Sequence, residues 1–185
     1  MSVQANTNQR PEAYRKAPAG GLLWYAVQTK ARHEKRIEAE LNQKGIAAYV
    51  PAAREVHRWS DRSQPVDVPL FSCYAFVRTL LTPERRLEIL RTNGVFRFVE
   101  AHGSPAAIPD AEIESVRRVA LQGLPLSTCG SICIGEKVRI RGGSLDGVEG
   151  VLSAVRGENR LVISVELIQQ AVSVTIDGYL VERVV

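Results

Sequence analysis

The chain reads as an α+β protein in two parts: a half that mixes strands with helices, then a small β-barrel of about five strands. Three observations predict this. Up to about residue 122, short apolar or aromatic runs alternate with helical stretches. Residues 123–132 are rich in chain breakers. Beyond them no helical period remains, and short β-branched runs are divided by glycine turns.

Residues 1–21 are polar and are expected to form a disordered tail. Leu22 to Val27 is a short apolar run that suits a buried strand. Thr29 offers a capping hydroxyl to a helix over Lys30–Lys44, which carries Ile37 and Leu41 on one face and meets Gly45 as its stop. Ile46 to Val50 reads as a strand ending at Pro51. Residues 52–70 alternate charged and β-branched residues around Ser60-Asp61-Arg62-Ser63, the pattern of an exposed hairpin arm. The arm returns into Leu70–Val77, an aromatic-rich strand placed at the sheet centre. Thr82-Pro83 opens a second helix with an apolar stripe of Leu87, Ile89 and Leu90, stopped by Asn93-Gly94. Val95–Val99 is a further strand. A third helix opens at Asp110 and carries Ile113, Val116, Ala120, Leu121 and Leu124 at helical spacing. In the last part Val138 and Ile140, then 148–155, 161–167 and 172–176, with Leu180, Val181 and Val184, supply the strands, and about fifty residues fit a small closed barrel. The divisions are a tail over 1–21, a first domain over 22–122, a linker over 123–132 and a barrel over 133–185.

Composition narrows the function. With 45% apolar and 24% charged residues the chain has the profile of a folded, soluble protein. No apolar run approaches the roughly 20 residues that cross a bilayer, and the first residues lack the apolar centre of a signal peptide, so a cytoplasmic protein is expected. Cys73, Cys129 and Cys133 are odd in number, and with His33, His57 and His102 scattered no zinc set is visible; reduced thiols and no cofactor are expected. Residues 1–132 hold 18 Lys and Arg against 13 Asp and Glu, a balance of +5, whereas 133–185 hold 6 against 7, a balance of −1. A basic first part favours contact with nucleic-acid phosphates. There is no phosphate-binding glycine loop, nucleophile elbow or metal-spaced His pair, which argues against an enzyme.

Four segments carry a resemblance. Trp24-Tyr25-Ala26-Val27-Gln28-Thr29, Leu70–Val77 and Gly94-Val95-Phe96-Arg97-Phe98-Val99 resemble, in order and spacing, the amino-terminal domain of the NusG family; Gly135–Ile140 through Gly147–Val151 resembles the KOW motif of its carboxy-terminal, SH3-like barrel. The resemblance covers residues 23–185. It implies an antiparallel sheet flanked by helices that straddles the DNA channel of RNA polymerase as a monomer, docked on the clamp helices of the largest subunit and reaching the gate loop opposite. Transcription elongation and antitermination follow, through the closed clamp, without catalysis.

The resemblance also distributes the candidate site residues. Polymerase contact falls to Tyr49, Phe71, Tyr74 and Phe76, with Tyr74 and Phe76 two apart on one strand face; the alternative is that these rings are core. Arg85 and Arg86 match the region that meets the gate loop. Lys30, His33 and Arg36 at the first helix start correspond to the surface that meets non-template DNA in relatives of the RfaH type, and His33, with Thr92 and Asn93 at the neighbouring helix end, has the uncharged hydrogen-bonding groups that reading a base edge needs; the alternative is a solvated face paired to Glu34, Glu38 and Glu40. In housekeeping members the barrel loop that meets ribosomal protein S-ten or Rho carries Phe-Gly-Arg and then Thr-Pro, where this chain has Ile168, Gln169 and Gln170, then Val172 and Ser173. That departure points to a specialised paralogue. The alternatives are a housekeeping factor coupled to Rho or the ribosome, and a KOW-type RNA-binding or ribosome-associated protein; the acidic balance of the barrel argues against the latter.

Overall fold

A computed structural model describes residues 21–58, 63–124, 126–129, 135–155, 158–176 and 179–184. The expected tail up to residue 20, the arm tip at 59–62, Cys133 and the glycine breaks at Gly157 and Gly178 lie outside the described residues.

The first half is an antiparallel sheet with helices packed on it. Its strands are β1 (Leu23–Thr29), β2 (Ala47–Tyr49), β5 (Tyr74–Thr79) and β6 (Val95–Phe98), in the order β2-β5-β1-β6. Between β2 and β5 the arm forms a separate hairpin, β3 (Ala52–Arg58) with β4 (Ser63–Pro69). After β6 come two short strands that pair with each other, β7 (Glu100–Ala101) and β8 (Ser104–Pro105), then β9 (Ala107–Ile108), which pairs with β1. Alternation along the strands sorts their side chains. Tyr25, Val27, Ala75 and Val77 pack with Ile37 and Leu41 of α1 (Glu34–Gln43) and Ile89 of α2 (Pro83–Leu90), while Trp24, Ala26 and Phe76 point to the opposite face.

Local chemistry sets the helix ends. At α2 the hydroxyl of Thr82 accepts the Arg85 N–H at 3.2 Å and Pro83 takes the first turn, as expected. The α1 start is different. Thr29 is not its cap: it is the last residue of β1, buried, with its backbone committed to the sheet through the Cys73 carbonyl at 2.8 Å. The chain then turns through Arg32 at φ 62°, and His33 becomes the cap residue without a side-chain cap bond. Leu121, placed on the apolar stripe of the third helix, is 76% exposed; Ile113, Val116 and Val119 form the buried stripe of α3 (Asp110–Leu121) instead.

The second half is a six-stranded antiparallel sheet in the order β10-β14-β13-β12-β11-β15, from β10 (Leu126–Cys129), β11 (Glu136–Arg141), β12 (Glu149–Val155), β13 (Glu158–Val165), β14 (Gln170–Thr175) and β15 (Leu180–Arg183). Five of these strands are those expected of the barrel. The sixth, β10, arises from the stretch read as linker: Leu126-Ser127-Thr128-Cys129 is free of breakers and pairs residue by residue with Val174 back to Ala171. Val138, Ile140, Leu161, Ile163, Val172 and Val174 form the inner face.

The two halves meet through α3. One face of this helix lies on the first sheet, where Arg117 sits over the rings of Trp24 (5.8 Å) and Tyr49 (4.8 Å). Another meets the outer side of β13, where Val162 and, beside it on β14, Ala171 and Ser173 are buried. Glu112 accepts the Glu166 N–H at 3.3 Å, and Arg118 donates to the Asp146 carbonyl at 3.0 Å. Of the two clusters of buried apolar residues, one runs from Trp24 and Phe76 through Ile113 and Val116 to Leu161 and Ile168.

Candidate functional site

The expected aromatic patch divides into a floor and a rim. Phe71 and Phe76 are 1% and 0% exposed and meet edge to face at 5.8 Å, so in this structure they are core and not contact surface. The cause is the continuity of the cluster: α3 and the second half pack on the same cluster as the sheet face that carries Phe76. Tyr49 and Tyr74 remain half-buried at its rim. Burial pushes the Tyr49 hydroxyl up to about 12, the nearby Arg117 guanidinium pulling the other way.

The barrel loop faces the Tyr74 side of that rim. A cavity of about 350 Å³ has Gln28, Tyr74 and Val99 on one wall and Leu167, Ile168 and Gln169 on the other. Ile168 is buried; Gln169 turns the chain in the left-handed region at φ 56°, its side-chain amide donating to the Glu166 carbonyl at 3.0 Å; Gln170 is half-buried and pairs with Val165. The two surfaces singled out for separate partners thus lie against one another.

Arg85 and Arg86 stand on the first turns of α2, each held by a carboxylate: Arg85 by Glu88 at 2.8 Å and Arg86 by Glu100 at 3.1 Å. Beside them Leu87 is 48% exposed.

The basic group is brought together by β1, α1 and β6, though not by one helix face. Lys30 precedes the helix, its N–H donating to the Gly94 carbonyl at 2.8 Å; His33 is the cap residue and Arg36 lies within α1. Gly94, at φ 97°, lies so close that an added β-carbon would stand 3.6 Å from the His33 side chain. Asn93 is exposed beside it. Thr92 is not available: it is 1% exposed, accepts from Lys44 Nζ at 3.0 Å and donates to the Glu88 carbonyl. Nor do the acidic residues of α1 neutralise the group. Glu34 is buried and accepts the Cys73 N–H, Glu38 pairs with Lys35, and Glu40 with Lys44.

Sequence reasoning missed Trp24 and Arg117 as the lid of the Tyr49 rim, and it missed Phe96 and Arg97, consecutive exposed residues on β6. The pairing of an α3 arginine with a β1 indole is a long-range event with no local signature.

Comparison with known proteins agrees with this architecture. The family described as transcription termination factor nusG matches residues 22–117, just over half of the chain. The transcription termination/antitermination protein NusG of Borreliella burgdorferi is 25% identical, over 87% of this chain and 98% of that protein. A solved structure of Thermotoga maritima NusG, described for its domain interaction, superposes with a TM-score of 0.54 at 19% identity, covering 88% of this chain and 97% of that one.

Proposed function

The chain belongs to the NusG family of transcription termination and antitermination factors, and from that premise we propose that it binds RNA polymerase across the DNA channel through the rim formed by Tyr74 and Tyr49, and suppresses pausing. Phe71 and Phe76 support the rim from beneath. The observation that carries the reading is the placement of the half-buried Tyr74 opposite the Leu167–Gln169 loop, the two facing one another across a cavity, so that an aromatic surface lies against a second surface of the same chain. Such a patch suits a partner that competes for it. Clamp helices of the largest subunit offer that chemistry, and α2 with Arg85 and Arg86 faces the gate loop. The factor acts by preferring one polymerase state to another, not by catalysis.

The chain acts as a cytoplasmic monomer in this reading. Lys30, His33, Arg36 and Asn93 face the displaced non-template strand. Ile168, Gln169 and Gln170 lack the aromatic and guanidinium chemistry of the housekeeping loop, which favours a specialised paralogue with weak or no contact to Rho or S-ten. Among the described residues no helix is long and apolar enough to cross a membrane.

A pausing assay on a defined template tests the proposal. The full chain should shorten the pause and retain polymerase subunits on co-purification, and Tyr74→Ala should lose both effects while staying folded. Unchanged pausing, or recovery of ribosomal RNA in place of polymerase, would overturn it.

A further inference from the structure

Helix α3 leaves a space where it crosses the second half. A cavity of about 180 Å³ lies between its first turns, at Glu112 and Ser115, and the outer side of β11, β12 and β13. Both halves therefore build it. Strand alternation supplies one wall: β13 turns Leu161, Ile163 and Val165 into the core and presents Val162 and Ser164 to the other side, and Val151 of β12 stands opposite Val162. The volume lies below the roughly 300–1,000 Å³ of pockets for drug-sized ligands, so the space suits a small molecule.

Its charged groups are used unequally. Glu149 is neutralised by Arg139, and Glu112 accepts the Glu166 N–H at 3.3 Å. The Glu166 carboxylate and the Lys137 ammonium line the same cavity and have no partner of opposite charge among the described residues. The hydroxyl of Ser164, in the same lining, is buried and lacks a hydrogen-bond partner. Solvated charges are ordinary on a surface; a buried, unpaired hydroxyl beside them is not. A change of rotamer would let it meet a polar group in the cavity.

We infer that this cavity binds a small amino acid with a short apolar body: its ammonium on Glu166, its carboxylate on Lys137, and its hydrocarbon on Val151 and Val162. Each unpaired charge gains one partner. A simple amine leaves Lys137 unused, and a simple acid leaves Glu166 unused. Because the lining comes from α3 and the barrel together, the occupant is held only while the halves are packed, and it stabilises that packing. Nothing in this site depends on how the chain meets polymerase.

Isothermal calorimetry and thermal melts of the full chain test the site. The probes are L-leucine and δ-aminovalerate, which carry both charges close together or apart, and isoamylamine and isovalerate, which carry one charge each. At least one amino acid should bind with a dissociation constant of roughly 1 mM or below and raise the melting temperature. It should bind about tenfold more tightly than either single-charge analogue. Preference for adjacent or separated charges identifies the kind of amino acid the site takes. Glu166→Gln should lower affinity for the amino acid about tenfold without weakening isovalerate, and Lys137→Met should lower it similarly without weakening isoamylamine. Both variants alter groups without partners, so their melts in the absence of ligand should match wild type. If neither amino acid binds at about 10 mM, or if the amine or the acid alone binds as tightly, the inference fails. Amino-acid binding that survives both substitutions lies elsewhere on the chain and overturns it as well.

Discussion

Phe76 and Phe96 lie on the two strands that flank β1, yet one is 0% and the other 64% exposed. Both belong to aromatic segments of similar appearance in the sequence. What separates them is what lies beyond the sheet. The face of Phe76 belongs to a cluster shared with α3 and the second half, and the edge of Phe96 is open and bulged. The apolar surface is closed in this state and the basic one is available, so in the proposed mechanism the nucleic-acid edge can engage before the polymerase face is uncovered.

The sharpest way to break the contrast is to truncate both rings. Phe76→Ala should cost about 3–5 kcal/mol of folding stability, the range for buried Phe to Ala. Phe96→Ala should stay within about 0.5 kcal/mol, as for exposed positions. Urea unfolding followed by circular dichroism measures both, and similar losses would show that the burial difference is not real. Tyr74→Ala falls between. Its loss of polymerase affinity should reach about 2 kcal/mol, as for a central aromatic anchor, and exceed its loss of stability, so binding titrations beside thermal melts decide whether the rim is surface or merely core.

Gly94→Ala probes the open edge from its backbone. The residue sits at φ 97°, and a β-carbon there would lie 3.2 Å from Ile37 Cδ1. A loss of about 1–2 kcal/mol is expected from the left-handed conformation. A melt unchanged from wild type would mean that the turn into β6 relaxes freely. The smallest effect is a titration. Burial favours the neutral Tyr49 phenol in the folded state, so its contribution to stability is whole below the unfolded value near pH 10 and is lost as pH rises through about 12. The absorbance difference at 295 nm between wild type and Tyr49→Phe should have its midpoint near 12; a midpoint near 10 would place the ring in water.

Much of the fold was legible because it is written in local signals. Thr82-Pro83 caps α2 with its own hydroxyl, and the alternation of Val138 with Ile140 and Leu161 with Ile163 fixes the inner face of the second half. The α1 start was misread because Thr29 is a good cap by type, while the sheet had already claimed its backbone. The site was less legible for a related reason. Period-two spacing says that Tyr74 and Phe76 share a face, but whether that face is wet depends on where α3 settles. Thr92 looks like a surface hydroxyl until Lys44, 48 residues away in the chain, reaches it. The bulge at Phe96 exists only as a mismatch between two strands.

The pairing of β10 with β14 has a consequence for reach. Leu121 ends α3 and Leu126 begins β10, so four residues connect the halves. Extended, they span roughly 15 Å. At that leash length the barrel stays concentrated against the Tyr74 rim, and a competitor must outbid a neighbour that cannot diffuse away. Peeling β10, an edge strand, from β14 would lengthen the leash to the fourteen residues between Leu121 and Glu136. Its extended span becomes roughly 50 Å, and the local concentration of the barrel falls roughly sixfold by the three-halves power of length. Four residues of strand pairing thus set the length of the tether, and their loss would lengthen it.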